Sequence, residues 1–107
     1  LRTRSVDAVV SFFALGHLPP SAHGPLLSSI GSWLRPGGVL VTSAPLIPGE
    51  AVENDWLGVP MFFGGIGIDA TLHAVDAAGL VVEEAEVVAE DEQGTEKFLW
   101  LTAVRPA

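Results

Sequence analysis

Apolar residues in this chain fall into short runs whose spacing changes from strand-like to helix-like and back. The run from Val6 to Phe13 (VDAVVSFF) is rich in β-branched and aromatic residues and predicts a strand. The run from Lys97 to Val104 (KFLWLTAV) predicts another. The sequence from Leu80 to Ala89 (LVVEEAEVVA) carries glutamates among its valines, which favours a charged edge strand, with a helix as the alternative. The turn residues from Asp91 to Gly94 would join these last two strands into an antiparallel hairpin.

Two segments have the spacing of amphipathic helices. In the first, apolar positions recur every three or four residues and form one stripe that would face a sheet. Its predicted start is Ser21 or Gly24, which precedes a proline, a residue that is well tolerated in a first turn. The second helix is predicted from Ala70 to Ala78, with Asp69 as its N-cap and Gly79 after its end. The stripe of the first helix consists of Leu26, Leu27, Ile30, Trp33 and Leu34.

The stretch from Trp33 to Pro45 (WLRPGGVLVTSAP) joins the first helix to a buried strand. Arg35 precedes a proline and is therefore pushed out of the helical conformation. Gly37 and Gly38 let the chain turn, and the run from Val39 to Ser43 that follows is apolar without clean alternation. Such a run is typical of a strand buried on both faces of a parallel sheet. The first strand, the helix and this strand together predict a right-handed crossover unit.

The segment from Leu46 to Gly67 has no regular period, because prolines and glycines interrupt it throughout. It nevertheless holds a dense set of large apolar side chains, namely Trp56, Leu57, Met61, Phe62 and Phe63. We therefore predict a long loop with a functional role after the buried strand. The predicted order of elements is strand, helix, strand, loop, helix, strand, strand, which indicates an α/β fold.

Composition and charge narrow the classes of function. The net charge is −8 and the five basic residues are scattered, which argues against binding to a nucleic-acid backbone. Hydrophobic residues make up 49% of the chain, yet no run approaches the roughly eighteen apolar residues of a membrane span. Because cysteine is absent, disulfides and thiolate metal sites are excluded. No signal peptide is recognisable, so we expect a cytoplasmic protein.

Three histidines are the candidates for acid–base or metal chemistry. His17 follows the first strand and could orient a substrate or act as a general base. We favour a packing and hydrogen-bonding role for it in the loop. His23 and His73 are expected to face solvent on the two helices. The three are far apart with no carboxylate at ligand spacing, so we predict no metal site.

The segment from Gly65 to Ala70 (GIGIDA) matches the G-x-G-x-x-A dinucleotide fingerprint at the entry to a helix. The acidic residues that such a fingerprint requires about 20 residues later are present as Glu83, Glu84 and Glu86. However, Pro60 lies in the segment that would be the preceding central strand, where proline is disfavoured. A dinucleotide-binding oxidoreductase therefore stays as an alternative.

Four segments together resemble a known family. VDAVVSFFALGHL, the helix ending WLRPGGVLVTSAP, the helix end AAGL and the terminus FLWLTAVRP look like the C-terminal half of a class I S-adenosylmethionine-dependent methyltransferase of the small-molecule type. The resemblance spans nearly the whole chain. It implies a partial Rossmann-like sheet in which the four predicted strands are the fourth to seventh of the family, ordered 4-5-7-6, with the last strand antiparallel. The chain from 1 to 107 would be a single domain.

The resemblance also implies roles for individual residues. Phe13, Ala14 and Leu15 match the segment that lines the methionine and sulfonium part of S-adenosylmethionine. His17 and the loop residues Trp56, Met61, Phe62 and Phe63 match positions near a small-molecule substrate. The first three strands of the family are absent, and with them the glycine-rich cofactor loop. We therefore expect a fragment that is inactive alone, and pairing of the exposed strand from Val6 to Phe13 in a homodimer or with a complementary chain.

Overall fold

The computed structural model describes residues 2–12, 14–56, 58–89 and 97–107, with the side chains at positions 53–56, 59 and 61 outside that description. Strands and helices alternate at first, and strands then dominate the middle and the end of the sequence. In chain order the elements are β1 (Val6–Ser11), a 3-10 turn (Leu15–His17), α1 (Pro20–Trp33), β2 (Leu34–Pro45), β3 (Gly49–Trp56), β4 (Val59–Gly65), α2 (Ile68–Ala77), β5 (Val81–Ala89) and β6 (Lys97–Val104).

The main sheet has the strand order β1-β2-β6-β5. β1 and β2 are parallel and are joined by α1, as the crossover prediction required. β6 is antiparallel to both β2 and β5, so the strand that comes last in the sequence lies inside the sheet. This arrangement confirms the predicted order 4-5-7-6 and the predicted edge position of β5. The helix alternative for residues 80–89 is wrong.

The core lies between this sheet and the two helices, which contact each other. It is built from the inward positions of β2 and β6 and from the apolar stripes of α1 and α2. Alternate residues of β6 are buried here because successive side chains of a strand point to opposite faces. The buried core residues are Leu27, Ile30, Leu34, Leu40, Val75, Leu80, Leu99, Leu101 and Ala103.

The start of α1 and the position of His23 correct the sequence prediction. The helix begins at Pro20, before Ser21 and Gly24, and Pro25 lies inside it. His23, expected to face solvent, is fully buried, and its Nε2 donates a hydrogen bond to the Leu18 carbonyl oxygen at 3.2 Å. The reason is periodicity, since position 23 precedes Leu27 by one turn and belongs to the same stripe.

The second helix also starts differently from the prediction, because Asp69 is not its N-cap. Gly67, with a φ of +86°, occupies that position and no side chain caps the helix, while Asp69 lies in the first turn. Gly79 follows the helix with a φ of +84°, as predicted. Its N–H donates to the Asp76 carbonyl and the Leu80 N–H donates to the Val75 carbonyl, which is the Schellman pattern.

The predicted long loop from Leu46 to Gly67 is wrong, because β3 and β4 pair there as an antiparallel two-stranded sheet. Val52 lies opposite Phe62, a β-branched and aromatic pair of the kind that stabilises strand pairing. Pro60 is tolerated because a strand with one neighbour has a free side on which no N–H is needed. Gly58 turns the chain between the strands with a φ of +90°.

This topology also rules out the dinucleotide fingerprint from Gly65 to Ala70. The fingerprint needs strand, helix and a parallel strand within one sheet. Here β4 belongs to the two-stranded sheet, whereas β5, which follows α2, belongs to the main sheet. Glu83, Glu84 and Glu86 lie in that separate strand.

Candidate functional site

The carboxyl ends of β1 and β2 define the candidate site. These two strands are parallel neighbours that end at Ser11 and Pro45. The loops that follow them therefore lie at the same edge of the sheet. Ligands of open α/β sheets bind in the crevice outside this edge. The 3-10 turn follows β1 there, and the β3–β4 hairpin follows β2.

The 3-10 turn packs against the end of β2. Leu15 is buried, with 1% of its surface exposed, and Ala14 before it is exposed. A Cβ placed on Gly16 would lie 3.4 Å from Cγ of Pro45, an ordinary contact distance. The turn is therefore held against the sheet by Leu15 and Gly16, and Ala14 is the residue it presents outward.

His17 joins the turn to the hairpin. Its Nδ1 donates a hydrogen bond to the Phe62 carbonyl oxygen at 2.9 Å, and its ring lies 5.1 Å from the ring of Phe63 at an interplanar angle of 46°. A carbonyl oxygen only accepts, so the hydrogen of this bond is on Nδ1. This is the packing and hydrogen-bonding role that the sequence favoured.

Two adjacent glycines let β4 lie directly on this edge. A Cβ on Gly64 would collide with the Leu18 carbonyl oxygen, and one on Gly65 would lie 2.8 Å from Cβ of Pro45. Both separations are shorter than side-chain carbon atoms allow. The backbone of β4 is therefore in close contact with the 3-10 turn and with the end of β2, and Phe62 and Phe63 are half-buried beside His17.

Comparison with solved structures places this arrangement in a known fold. An S-adenosylmethionine-dependent methyltransferase from Mesorhizobium loti matches 98% of the chain with a TM-score of 0.74 and 22% identity. An S-adenosylmethionine-dependent methyltransferase from Methanosarcina mazei matches 98% with a TM-score of 0.79 and 12% identity. The fold is that of the S-adenosylmethionine-dependent methyltransferases. The chain spans 64% and 61% of those two structures, so it has part of the methyltransferase fold.

A third methyltransferase structure carries ligands. It is the 1,6-didemethyltoxoflavin-N1-methyltransferase of Burkholderia thailandensis, with bound 1,6-didemethyltoxoflavin and S-adenosylhomocysteine. It matches 98% of the chain at 18% identity with a TM-score of 0.71, and the chain spans 46% of it. No family model and no curated protein matches the sequence.

The methyltransferase fold brings together part of the predicted site. His17, Phe62 and Phe63 are in mutual contact, and Ala14 and Leu15 lie in the turn that carries His17. Phe13 lies outside the described residues. Trp56 and Met61 lie in the described backbone of the hairpin, but their side chains fall outside the description.

Sequence reasoning missed two features at this edge. One is His23, buried beneath the Leu18 carbonyl, which the spacing His23, Leu27, Ile30 along one helical stripe could have revealed. The other is an aromatic pair, Phe12 and Trp100, whose ring centroids are 4.9 Å apart. No local pattern could have found this pair, because it depends on the insertion of β6 beside β2.

The distribution of acidic residues shows which part of a cofactor site the carboxyl ends of β1 and β2 could provide. The sequence contains no aspartate or glutamate from Ala8 to Gly49, a span that includes the ends of β1 and β2 and the 3-10 turn. The ends of β1 and β2 and the 3-10 turn therefore have apolar residues and no carboxylate of their own, and the next acidic residue along the chain is the exposed Glu50 of β3. Within the described ranges, no three His, Cys, Asp or Glu side chains cluster as metal ligands, and no helix is long and apolar enough to cross a bilayer.

Proposed function

We propose that this chain is the C-terminal half of an S-adenosylmethionine-dependent methyltransferase that acts on a small molecule. The observation that carries the proposal is the convergence of the 3-10 turn and the β3–β4 hairpin at the carboxyl ends of two parallel strands in a methyltransferase fold. The Burkholderia structure, which binds a small heterocycle beside S-adenosylhomocysteine, supports the class of acceptor.

The proposed roles belong to two sides of the site at the carboxyl ends of β1 and β2, a cofactor side and a substrate side. Phe13 and Ala14 line the methionine and sulfonium side of the cofactor, and Leu15, which is 1% exposed, supports them by packing beneath the turn. On the substrate side, His17 acts by positioning, because its Nδ1 is already used to hold the hairpin at Phe62. The remaining substrate contacts are assigned to hairpin side chains at Trp56, Met61, Phe62 and Phe63.

Methyl transfer requires the protein to position the two reactants more than it requires a covalent bond to the protein. When bound, S-adenosylmethionine supplies an activated methyl group on its sulfonium for in-line attack by the acceptor. Holding two reactants in line can account for about 7–11 kcal/mol of a barrier. The apolar turn and the aromatic hairpin would orient the acceptor and exclude water from it.

We expect the 107-residue chain alone to bind the cofactor weakly or not at all, because the ends of β1 and β2 and the 3-10 turn have no carboxylate that could hold the ribose. Isothermal titration with S-adenosylmethionine and with S-adenosylhomocysteine should show no saturable heat up to millimolar ligand. Tight, stoichiometric binding of either ligand would contradict the proposal that this chain provides only part of the cofactor site.

The activity itself is tested on the coding sequence that precedes Leu1. We expect it to encode a strand followed by a glycine-rich loop, and the longer protein to transfer a labelled methyl group to small-molecule acceptors. In that protein, His17→Ala should raise the KM for the acceptor more than it lowers kcat. An unrelated preceding sequence would refute the proposed parent enzyme.

A second candidate function is assembly through β1. Its support is the edge position of β1 in the main sheet and the 61% exposure of Val10 on it. An edge strand without lysine or proline is a template for pairing with another chain. The partner would be a second copy, giving a homodimer, or a chain that supplies the missing strands.

Sedimentation velocity tests this assembly on the isolated chain. We expect a dimer at high concentration that Val10→Lys converts to a monomer, since a lysine on an edge strand opposes pairing. Val81→Lys is the matched control, because Val81 is 53% exposed on the opposite edge strand, β5. A wild-type chain that stays monomeric at several hundred micromolar would rule out the homodimer.

A further inference from the structure

Two fully buried polar side chains, His23 of α1 and Thr71 of α2, each keep one atom without a hydrogen bond. His23 is 0% exposed and Thr71 is 1% exposed. Within the described part of the chain, the buried side-chain atoms that lack a hydrogen-bond partner are His23 Nδ1 and Thr71 Oγ1. Burial of an unpaired hydroxyl or ring nitrogen costs free energy, so native proteins nearly always pair such atoms with protein groups or with ordered water.

The two helices run parallel to each other. α1 follows the 3-10 turn, which packs on the end of β2, and α2 follows β4, which packs on the same end. Each helix then leads to the start of a strand, β2 or β5, and these strands share one direction because both are antiparallel to β6. Since the helices also contact each other, the start of α1 lies beside the start of α2.

The contact between Gly31 and Ala78 fixes which residues of the two helices lie at the same level. A Cβ on Gly31 would lie 3.0 Å from Cβ of Ala78. His23 precedes Gly31 by eight residues, which is about 12 Å along a helix axis, and Thr71 precedes Ala78 by seven, which is about 10.5 Å. His23 and Thr71 are therefore at nearly the same level, near the starts of the two helices.

The gap between the helices widens towards this level. Gly24 and Gly31 are seven residues apart, so they lie on nearly the same face of α1. A Cβ on Gly31 would collide with the Ala78 carbonyl oxygen, whereas a Cβ on Gly24 would have no atom within 4 Å. A small molecule therefore fits between the helices beside His23 and not at the Gly31 end.

The chemistry of the two unpaired atoms is complementary to one water molecule. His23 Nε2 donates to the Leu18 carbonyl oxygen, so Nδ1 of the neutral ring is an acceptor. The Thr71 hydroxyl can donate or accept. A water placed between them can donate one hydrogen to Nδ1 and accept the hydroxyl hydrogen, and buried waters typically make about two to four such bonds.

We propose that a buried water joins His23 to Thr71, and that this link holds the starts of α1 and α2 in position beneath the candidate site. On the α1 side, His23 bonds to the Leu18 carbonyl oxygen, on which Gly64 of the hairpin packs. On the α2 side, the Thr71 N–H donates to the carbonyl oxygen of Gly67, which follows β4. The link rests on contacts within this chain and does not depend on the proposed methyl transfer.

Thr71→Val tests the link by the sign of its effect on stability. Valine has nearly the shape of threonine, so the substitution removes the hydroxyl and keeps the packing. In urea unfolding, we expect the equilibrium constant for unfolding to rise by about three- to tenfold, the range for one hydrogen bond. Replacing an unpaired buried hydroxyl would instead stabilise the chain, because it removes a desolvation cost. A chain stabilised by Thr71→Val therefore overturns the proposal.

A double-mutant cycle with His23→Phe separates the link from the bond to Leu18. In the His23→Phe background, Thr71→Val should cost less than it does in the wild type, because the water has already lost its acceptor. Val75→Ala is the matched control, since this buried position of α2 lies one turn further on and should cost the same in both backgrounds. Equal costs of Thr71→Val in the two backgrounds would contradict the link.

Nitrogen-15 NMR of the histidine-labelled chain gives a second result that needs no histidine variant. We expect His23 to carry its hydrogen on Nε2, and the Nδ1 resonance to shift in Thr71→Val and not in Val75→Ala. An Nδ1 resonance that is the same in Thr71→Val as in the wild type would overturn the link. So would a crystal structure in which Nδ1 and Oγ1 bond directly to each other.

The positioning role is measured by native-state hydrogen exchange of the backbone amides in β3 and β4. Thr71→Val should speed exchange in this hairpin more than Val75→Ala does at equal global stability, because the link connects the two segments on which the hairpin rests. Equal exchange in the two variants would show that the link stabilises the core without positioning the hairpin, and would overturn that part of the proposal.

Discussion

Arg105, the residue that follows β6, forms hydrogen bonds with the end of α1 through its side chain. Its Nη1 donates to the carbonyl oxygens of Gly31 at 2.9 Å, Ser32 at 3.3 Å and Leu34 at 2.8 Å. The last carbonyls of a helix have no partner within the helix, and a cation beside them also meets the negative end of the helix dipole. One side chain distant in sequence thus supplies hydrogen-bond donors to the helix terminus, together with the backbone N–H groups of Arg4 and Ser5.

Replacing this arginine should destabilise the protein measurably. We expect Arg105→Gln to lower the free energy of unfolding by about 1.5–3 kcal/mol, the range for hydrogen bonds to a charged group. Arg35→Gln removes the same charge from an ion pair with Asp7 whose side chains are 51% and 84% exposed, so it should cost less than about 1 kcal/mol. Urea unfolding of both variants measures the difference, and equal losses would contradict the role of Arg105.

His23 shows at the same scale why a residue's environment escapes a sequence pattern. Its ring is fully buried, Nε2 has the Leu18 carbonyl, and Nδ1 has no hydrogen-bond partner among the described residues. Histidine is polar enough to be expected at a surface, and its periodicity with Leu27 outweighs that expectation. For His23, the spacing of apolar positions along the helix predicts burial better than the polarity of histidine does.

Among the elements, the two helices meet at a glycine. A Cβ on Gly31 of α1 would collide with the Ala78 carbonyl oxygen and lie 3.0 Å from Cβ of Ala78, at the end of α2. In contrast, a Cβ on Gly24 of the same helix would meet nothing within 4 Å. Of these two glycines, only Gly31 is needed for the close approach of α1 and α2.

The two glycines should differ in how strongly alanine affects the stability of the protein. Gly24→Ala should change the free energy of unfolding by less than about 0.5 kcal/mol, because the higher helix propensity of alanine is offset by crowding of its Cβ against the ring of Pro25. Gly31→Ala should destabilise it by about 1–2 kcal/mol, since the overpacking cost exceeds that gain. Denaturant midpoints with unchanged m-values would report both effects. A stabilised Gly31→Ala protein would show that the helices separate freely.

The elements also show which parts of the fold a sequence reveals. Strands and helices of the main sheet follow from their apolar runs, although β2 begins at Leu34 and includes Arg35, Pro36 and Gly37, where the sequence predicted a turn. The β3–β4 hairpin does not, because Pro60 and the glycines hide a pairing that depends on Val52 facing Phe62. Likewise the contact of His17 with Phe62 joins positions 45 residues apart and has no local signature.

The whole molecule exposes more surface than its size requires. Its accessible surface is 6316 Å², whereas a monomer of this mass typically exposes about 5,700 Å². Its radius of gyration is 14.2 Å against about 13 Å for a compact chain of this length. Both excesses agree with a sheet covered on one face and a hairpin in which β3 contacts chiefly β4.

An uncharged solvatochromic dye should locate this surplus apolar surface. We expect Nile red to gain fluorescence with the native chain, and Phe12→Ser combined with Trp100→Thr to remove most of the gain, because these rings meet on the face of the main sheet opposite α1 and α2. Ile47→Ser with Val52→Thr is the control, since those side chains are 79% and 56% exposed at the hairpin. Circular dichroism checks that each variant is folded, and a signal lost only in the control pair would assign the dye to the hairpin.

The position of β6 has a consequence for synthesis of the chain on the ribosome. β6 follows every other described strand in sequence, yet its residues pair with β2 on one side and β5 on the other. As residues are added at about 5–20 per second, β2 and β5 keep bare edges until Lys97–Val104 has emerged. A nascent chain that stalls before this segment lacks the strand that joins β2 to β5, and chaperones or proteases would meet it with both of these strand edges unpaired.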